Sequence, residues 1–177
     1  VGRLVYYKGV DVLLKAFETV KEGELTIIGA GELEESLKAY AKERGMETRV
    51  HFLGRVTDEE LYRQIERCDV FVLPSVMKSE AFGLVQQEAM AFGKPVINTR
   101  LASGVPEVSL DGLTGLTVEP GDAAALANAM EWMAEHPGER IRMGQAARER
   151  VEKEYTMDVM MERMMGIYQK LMEDERR

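Results

Sequence analysis

Glu80 and Glu88 flank the start of a predicted helix, which follows an apolar strand at 70–73 and the strand-ending Pro74. The helix is expected to begin near Gly83 and to end at Gly93. The first N–H groups of a helix have no internal partner, and the dipole is positive at that end. A phosphate can be held there without a dedicated side chain. Gly83 lets a ligand approach the backbone closely. Helical side chains lean toward the N-terminus. Glu88, one turn after Leu84, can therefore point back at the same place. A carboxylate repels phosphates and is better suited to accept hydrogen bonds from hydroxyls, such as a ribose diol. Taken alone, two such glutamates are more often a solvated helix face, so the rest of the chain has to supply the context.

An anion site also needs cations, and Arg3 and Lys8 flank the first predicted strand–helix turn. By themselves they read as solvated charges. Their setting is a regular alternation. Strands are expected at 1–5, 24–28, 49–53, 70–73, 95–98 and 114–118, with helices at 10–20, 32–44, 57–67, 83–93 and 122–135. This predicts an α/β fold, a Rossmann-like doubly wound parallel sheet of about six strands with helices on both faces and further C-terminal helices. In the default order 3-2-1-4-5-6, the first and fourth strands meet at the switch point, and ligands bind beyond the strand carboxyl ends. That order brings Arg3 and Lys8 opposite the helix end at Leu84. Arg then offers a fork to phosphate oxygens and Lys a point charge.

Composition narrows the alternatives. The chain has 177 residues, 45% of them apolar, and a net charge of −8. Nucleic-acid binders usually carry the opposite sign, and no apolar run is long enough to cross a membrane. The chain starts at Val1 in an apolar segment, so the expectation is a piece of a longer protein without a signal peptide. Cys68 is alone, which excludes an internal disulfide and fits a reducing cytoplasm. It is expected to be buried and inert. Residues 1–135 are expected to form one nucleotide-binding unit, with 136–177 as its helical extension. The methionines of that extension, at 157, 160, 161, 164 and 165, are expected to pack in a core. The alternative is docking on a partner domain.

Other motifs are weaker. Gly29-Ala30-Gly31 makes a turn that can line a pocket, but Glu34 stands where a dinucleotide fingerprint needs Gly or Ala. An NAD-binding oxidoreductase domain therefore stays a minor alternative, beside a non-catalytic interaction module. His51 and His136 are expected to be structural or exposed, and no metal-ligand spacing occurs. A hydrolase pair is disfavoured. On one helix Glu80 and Glu88 would stand about 12 Å apart, against about 5 Å or about 6.5–9.5 Å for the two hydrolase mechanisms.

Several linked motifs occur in order: Gly2-Arg3-Leu4 with Lys8-Gly9, Gly54-Arg55-Val56, the run from Ser79 to Ile97, Gly104-Val105-Pro106-Glu107, and Asp111-Gly112-Leu113-Thr114-Gly115. Together they resemble the C-terminal domain of family 4 glycosyltransferases of the GT-B fold. The resemblance implies the donor-binding half of a retaining, metal-independent hexosyltransferase. Its substrate would be a GDP- or UDP-linked sugar, with no cofactor. Arg3 and Lys8 would hold the diphosphate, and Glu80 would contact the donor sugar. Phe82 and Gly83 would line the sugar pocket. The N–H groups of Leu84 and Val85 would bind phosphate, and Glu88 the ribose. Arg55, Val56 and Asp58 would lie near the base. Lys78-Ser79-Glu80 and Gln86-Gln87 look most like bacterial polysaccharide or lipopolysaccharide transferases, often mannosyltransferases. The resemblance further implies an N-terminal acceptor domain outside this chain and a cytoplasmic enzyme, with the inner membrane face as one location. The fragment alone is expected to bind donor without transferring sugar.

Overall fold

The computed structural model describes residues 1–174. The last three residues of the expected extension, 175–177, lie outside them. Five parallel strands and eight α-helices alternate along the described chain: α1 (Val10–Phe17), β1 (Leu25–Ile28), α2 (Glu34–Glu43), β2 (Val50–Gly54), α3 (Asp58–Arg67), β3 (Phe71–Val72), α4 (Leu84–Ala91), β4 (Val96–Thr99), α5 (Val105–Val108), β5 (Gly115–Val118), α6 (Ala123–Glu135), α7 (Pro137–Glu154) and α8 (Met157–Asp174). The strands pair as β1-β2 and as β3-β4-β5.

Local chemistry explains most boundaries. Leu13, Leu14 and Phe17 recur at helical spacing and bury one face of α1. Thr57 accepts from the Glu60 N–H and caps α3. Asp122 caps α6 through the Ala125 N–H at 2.8 Å. Thr156 caps α8 through the Val159 N–H at 3.3 Å. All four residues of β4 are buried, as befits a central parallel strand covered on both faces. One core gathers α1, α2 and α6 around β1, and Ile97 of β4 joins it. The second packs Phe71, Leu73, Ala89, Met90, Val105 and Val108 around α4. Helix α7 closes on α4 through glycines, since a Cβ on Gly144 would stand 2.1 Å from the Gly93 carbonyl oxygen.

Three expectations are corrected. Residues 1–5 do not form a strand. Gly2 and Leu4 donate to the carbonyls of Ile28 and Ala30 at 2.9 and 3.0 Å, but this pairing is one-sided and breaks at a 3-10 turn over Tyr6–Lys8. The methionines of α8 do not enter a core, and Met157, Met160, Met161, Met164 and Met165 are all exposed. Cys68 is only half-buried. Its thiol pKa is pushed up, chiefly by burial.

Candidate functional site

The structure joins the two segments that the switch-point argument brought together. The Tyr7 carbonyl accepts from the Val76 N–H at 2.8 Å, which ties the first turn to the loop after β3. The approach depends on Gly9, whose φ is 65°. A Cβ there would stand 2.1 Å from the Pro74 carbonyl oxygen.

At this junction Lys8 Nζ donates to Glu80 Oε2 at 2.5 Å, with side-chain exposures of only 15% and 10%. The same Glu80 oxygen accepts from Ser75 Oγ at 3.0 Å. Ser75 is itself held, its carbonyl accepting from Thr99 Oγ1 at 2.6 Å. Glu80 is thus a buried carboxylate with one cation and one hydroxyl, as a charge away from water requires. Arg3 is exposed and donates to the Tyr7 hydroxyl at 2.9 Å. The Tyr7 ring lies beside both cations, 5.9 Å from the guanidinium and 5.5 Å from Lys8 Nζ.

Helix α4 begins beside this corner. Gly83 precedes it in the left-handed region, with φ of 66°, and no side chain caps the helix. Any Cβ at Gly83 would also meet Leu73 Cδ2 at 2.5 Å. The N–H groups of Leu84 and Val85 are therefore free of a side-chain cap. Leu84 is exposed, while Phe82 and Val85 are half-buried. Phe82 packs edge-on against Tyr155, with ring centroids 6.0 Å apart.

One turn on, Glu88 is half-buried, and no salt bridge or side-chain hydrogen bond among the described residues engages it. Its carboxyl pKa is raised, first by burial and then by the negative charge of Asp58. Asp58 starts α3, and Arg55 and Val56 lie in the loop before it. Of the positions expected near a base, Asp58 thus lies close enough to the one expected at a ribose to act on its charge. Gly29 lies across the first segment, and a Cβ there would stand 1.8 Å from the Gly2 carbonyl oxygen. Backbone packing alone accounts for that glycine.

Sequence reasoning missed three parts of the site. Ser75 gave no signal beyond its place after a strand. Tyr7 carries no signal that separates it from the adjacent Tyr6. The third part is a buried polar network behind α4. Gln86 Nε2 donates to the carbonyls of Phe82 and Val105 at 2.8 and 3.1 Å. Asn98 Nδ2 donates to Gln86 Oε1, Val105 and Ser109 at 3.3, 3.1 and 3.2 Å, and Thr117 Oγ1 donates to Asn98 Oδ1 at 2.7 Å. The signal was available. Gln86 shares the inward face with Ala89 and Met90, and Asn98 is the polar residue of the apolar strand expected at 95–98.

These observations describe a Rossmann-like α/β domain whose first turn is tied, through Lys8 and Glu80, to the loop before an uncapped helix end. The family model "Glycosyl transferases group 1" matches residues 1–150, and the chain belongs to that family. It is 38% identical to the D-rhamnosyltransferase WbpZ of Pseudomonas aeruginosa over 156 residues, 88% of this chain and 40% of that protein. It is 33% identical to the O-antigen chain mannosyltransferase C of Escherichia coli over 175 residues, 99% of this chain and 47% of that protein. The fold also matches the crystal structure of Anabaena HepE in complex with UDP-glucose, at a TM-score of 0.79 and 28% identity. That match covers 86% of this chain and 43% of that one. The chain thus spans less than half the length of these relatives.

Proposed function

We propose that this chain is the donor-binding half of a retaining, metal-independent hexosyltransferase that moves a sugar from a GDP- or UDP-linked donor to a glycan or lipid-linked hydroxyl. The observation that carries this reading is the junction itself. The buried Lys8–Glu80 pair lies beside an uncapped helix end, with the unpartnered Glu88 one turn beyond. A diphosphate at the α4 end meets the N–H groups of Leu84 and Val85 and the cations Arg3 and Lys8. Its ribose diol meets Glu88, a half-buried carboxylate with no side-chain hydrogen bond or salt bridge among the described residues. The base lies toward Arg55, Val56 and Asp58. The sugar lies toward Glu80, Phe82 and Gly83, and Gly29 borders the pocket through the first segment.

Transfer leaves charge on the departing diphosphate while the sugar gains oxocarbenium character. Fixed donors aimed at that charge are electrostatic preorganisation, and removing one is expected to raise the barrier by about 3 kcal/mol. Lys8 has a double task, since it neutralises Glu80 and faces the diphosphate. In this reading the acceptor comes from an N-terminal half within the longer polypeptide, and the exposed methionine face of α8 docks on that half. The whole enzyme then works in the cytoplasm, at the inner membrane face when its acceptor is lipid-linked.

Titration calorimetry of the chain with GDP, UDP and ADP tests the reading. Binding of at least one, weakened in Arg3→Ala, is expected. No heat from any of the three at millimolar concentration would contradict it.

A further inference from the structure

Gln86 is fully buried, yet it belongs to the first turn of α4. A glutamine at the third position of a helix ordinarily reaches back to accept from the N–H of the residue before the helix. Here the amide is turned round. Its Nε2 donates to the Phe82 carbonyl at 2.8 Å and to the Val105 carbonyl at 3.1 Å. Both partners are acceptors only, so the direction of the amide is fixed. The Gln86 backbone N–H meanwhile donates to the Gly83 carbonyl at 2.9 Å, which leaves the Phe82 carbonyl to the side chain. The N–H groups of Gly83, Leu84 and Val85 keep no partner among the described residues.

Asn98 holds this amide from β4. Its Nδ2 has two hydrogens and three acceptors in reach: Gln86 Oε1 at 3.3 Å and the carbonyls of Val105 and Ser109 at 3.1 and 3.2 Å. Its Oδ1 accepts from Thr117 Oγ1 at 2.7 Å, which fixes the direction of the second amide. The pair thus ties α4 and β4 to α5. From the other side Arg150 of α7 donates to the Glu107 and Val108 carbonyls of α5 at 2.9 and 3.0 Å. Against this anchored helix the loop 80–83 is set at three points. Gly104 donates to the Ala81 carbonyl at 2.8 Å. The Phe82 ring lies so close over Gly104 that a Cβ there would stand 2.6 Å from Phe82 Cδ2. Gln86 takes the Phe82 carbonyl.

We propose that Gln86, aligned by Asn98, is a positioning residue of the donor site. It meets no ligand. By drawing the Phe82 carbonyl inward it sets the loop that carries Glu80 and Phe82, and it leaves the N–H groups of Leu84 and Val85 to the diphosphate. The inference rests on the donor-binding reading of this site. Apolar residues of the same shape would fill the space without any demand for partners. What the two amides add is direction, since each is locked in one orientation by its neighbours.

Gln86→Met tests this, because it keeps the length of the side chain and removes its polar end. Asn98 retains two acceptors for its two hydrogens and Val105 retains Asn98, so the Phe82 carbonyl alone loses its donor. Met133→Ala is the comparison, a truncation in the other core that lowers Tm without touching the loop. Both variants are titrated with GDP, UDP and ADP at a temperature where each is folded. Amide exchange is followed at Gly104 and at Leu25, which donates to Arg49 in the other sheet. Gln86→Met is expected to bind the better nucleoside diphosphate about tenfold more weakly, and to speed exchange at Gly104 about tenfold more than at Leu25. Met133→Ala is expected to keep the wild-type affinity. Should Gln86→Met not fold, Gln86→Asn keeps the amide but falls a methylene short of Phe82, and gives the same readout. Wild-type affinity in the folded Gln86 variant, or exchange that rises equally at both amides, overturns the proposal alone. No binding of any nucleotide to the wild-type chain removes the donor reading, and this inference with it.

Discussion

Glu80 and Glu88 serve one helix end, yet their surroundings differ in kind. Glu80 is 8% exposed, with Lys8 and Ser75 both on its Oε2. Glu88 is half-buried, has no cation beside it among the described residues and feels Asp58 as a like charge. The first is paired within the protein through one oxygen, and in the proposed reading the second meets the hydroxyl donors of a ligand. Losses at Glu80 should therefore register as stability, and losses at Glu88 as affinity.

The largest effect is expected from breaking the paired half. Lys8→Met leaves Glu80 buried with only a hydroxyl partner, and removing one member of a buried pair costs about 3 kcal/mol. Thermal unfolding reads this as a lower Tm, and adding Glu80→Gln to the variant should recover much of the loss. If the single and double variants unfold alike, the pair is not the strut described here. Next comes Gly9→Ala. It forces a left-handed residue to carry a Cβ against Pro74, a change worth about 2 kcal/mol. Wild-type stability in that variant would mean that the two segments do not meet through Gly9. Gln86→Leu is expected to cost about 1–2 kcal/mol, because the Phe82 carbonyl loses its donor.

Glu88 is expected to behave in the opposite sense. Its pKa is raised above the ordinary 4.5 in the folded chain, so the folded state holds that proton more tightly than the unfolded state does. Its carboxyl favours folding at low pH, and the advantage is lost as pH rises from 4.5 through the raised value. At neutral pH the ionised group is a small liability, and Glu88→Gln should gain stability by less than about 0.5 kcal/mol. The gain should vanish below pH 4.5. A loss at neutral pH would mean that Glu88 already has a partner.

The sequence carried the elements with strong periodicity or punctuation. Leu13, Leu14 and Phe17 marked α1, and Gly83 and Gly93 bounded α4. Pairing information was less accessible. Residues 1–5 have strand composition, but composition does not report whether both edges find partners, and here only β1 does. The methionines of α8 show the same limit, because helical spacing gives a face without saying what covers it. At the site, charged positions were legible from their place at strand ends. Ser75, Tyr7 and the Gln86–Asn98 network were not, because their roles come from neighbours distant in the chain.

The most direct measurement is calorimetric titration of the chain and its Glu88→Gln variant with the better-binding nucleoside diphosphate and with pyrophosphate. A hydrogen bond to a charged group contributes about 1.5 kcal/mol. The variant should therefore bind the nucleotide about tenfold more weakly and pyrophosphate as well as before. Equal weakening of both ligands would contradict its assignment to the ribose.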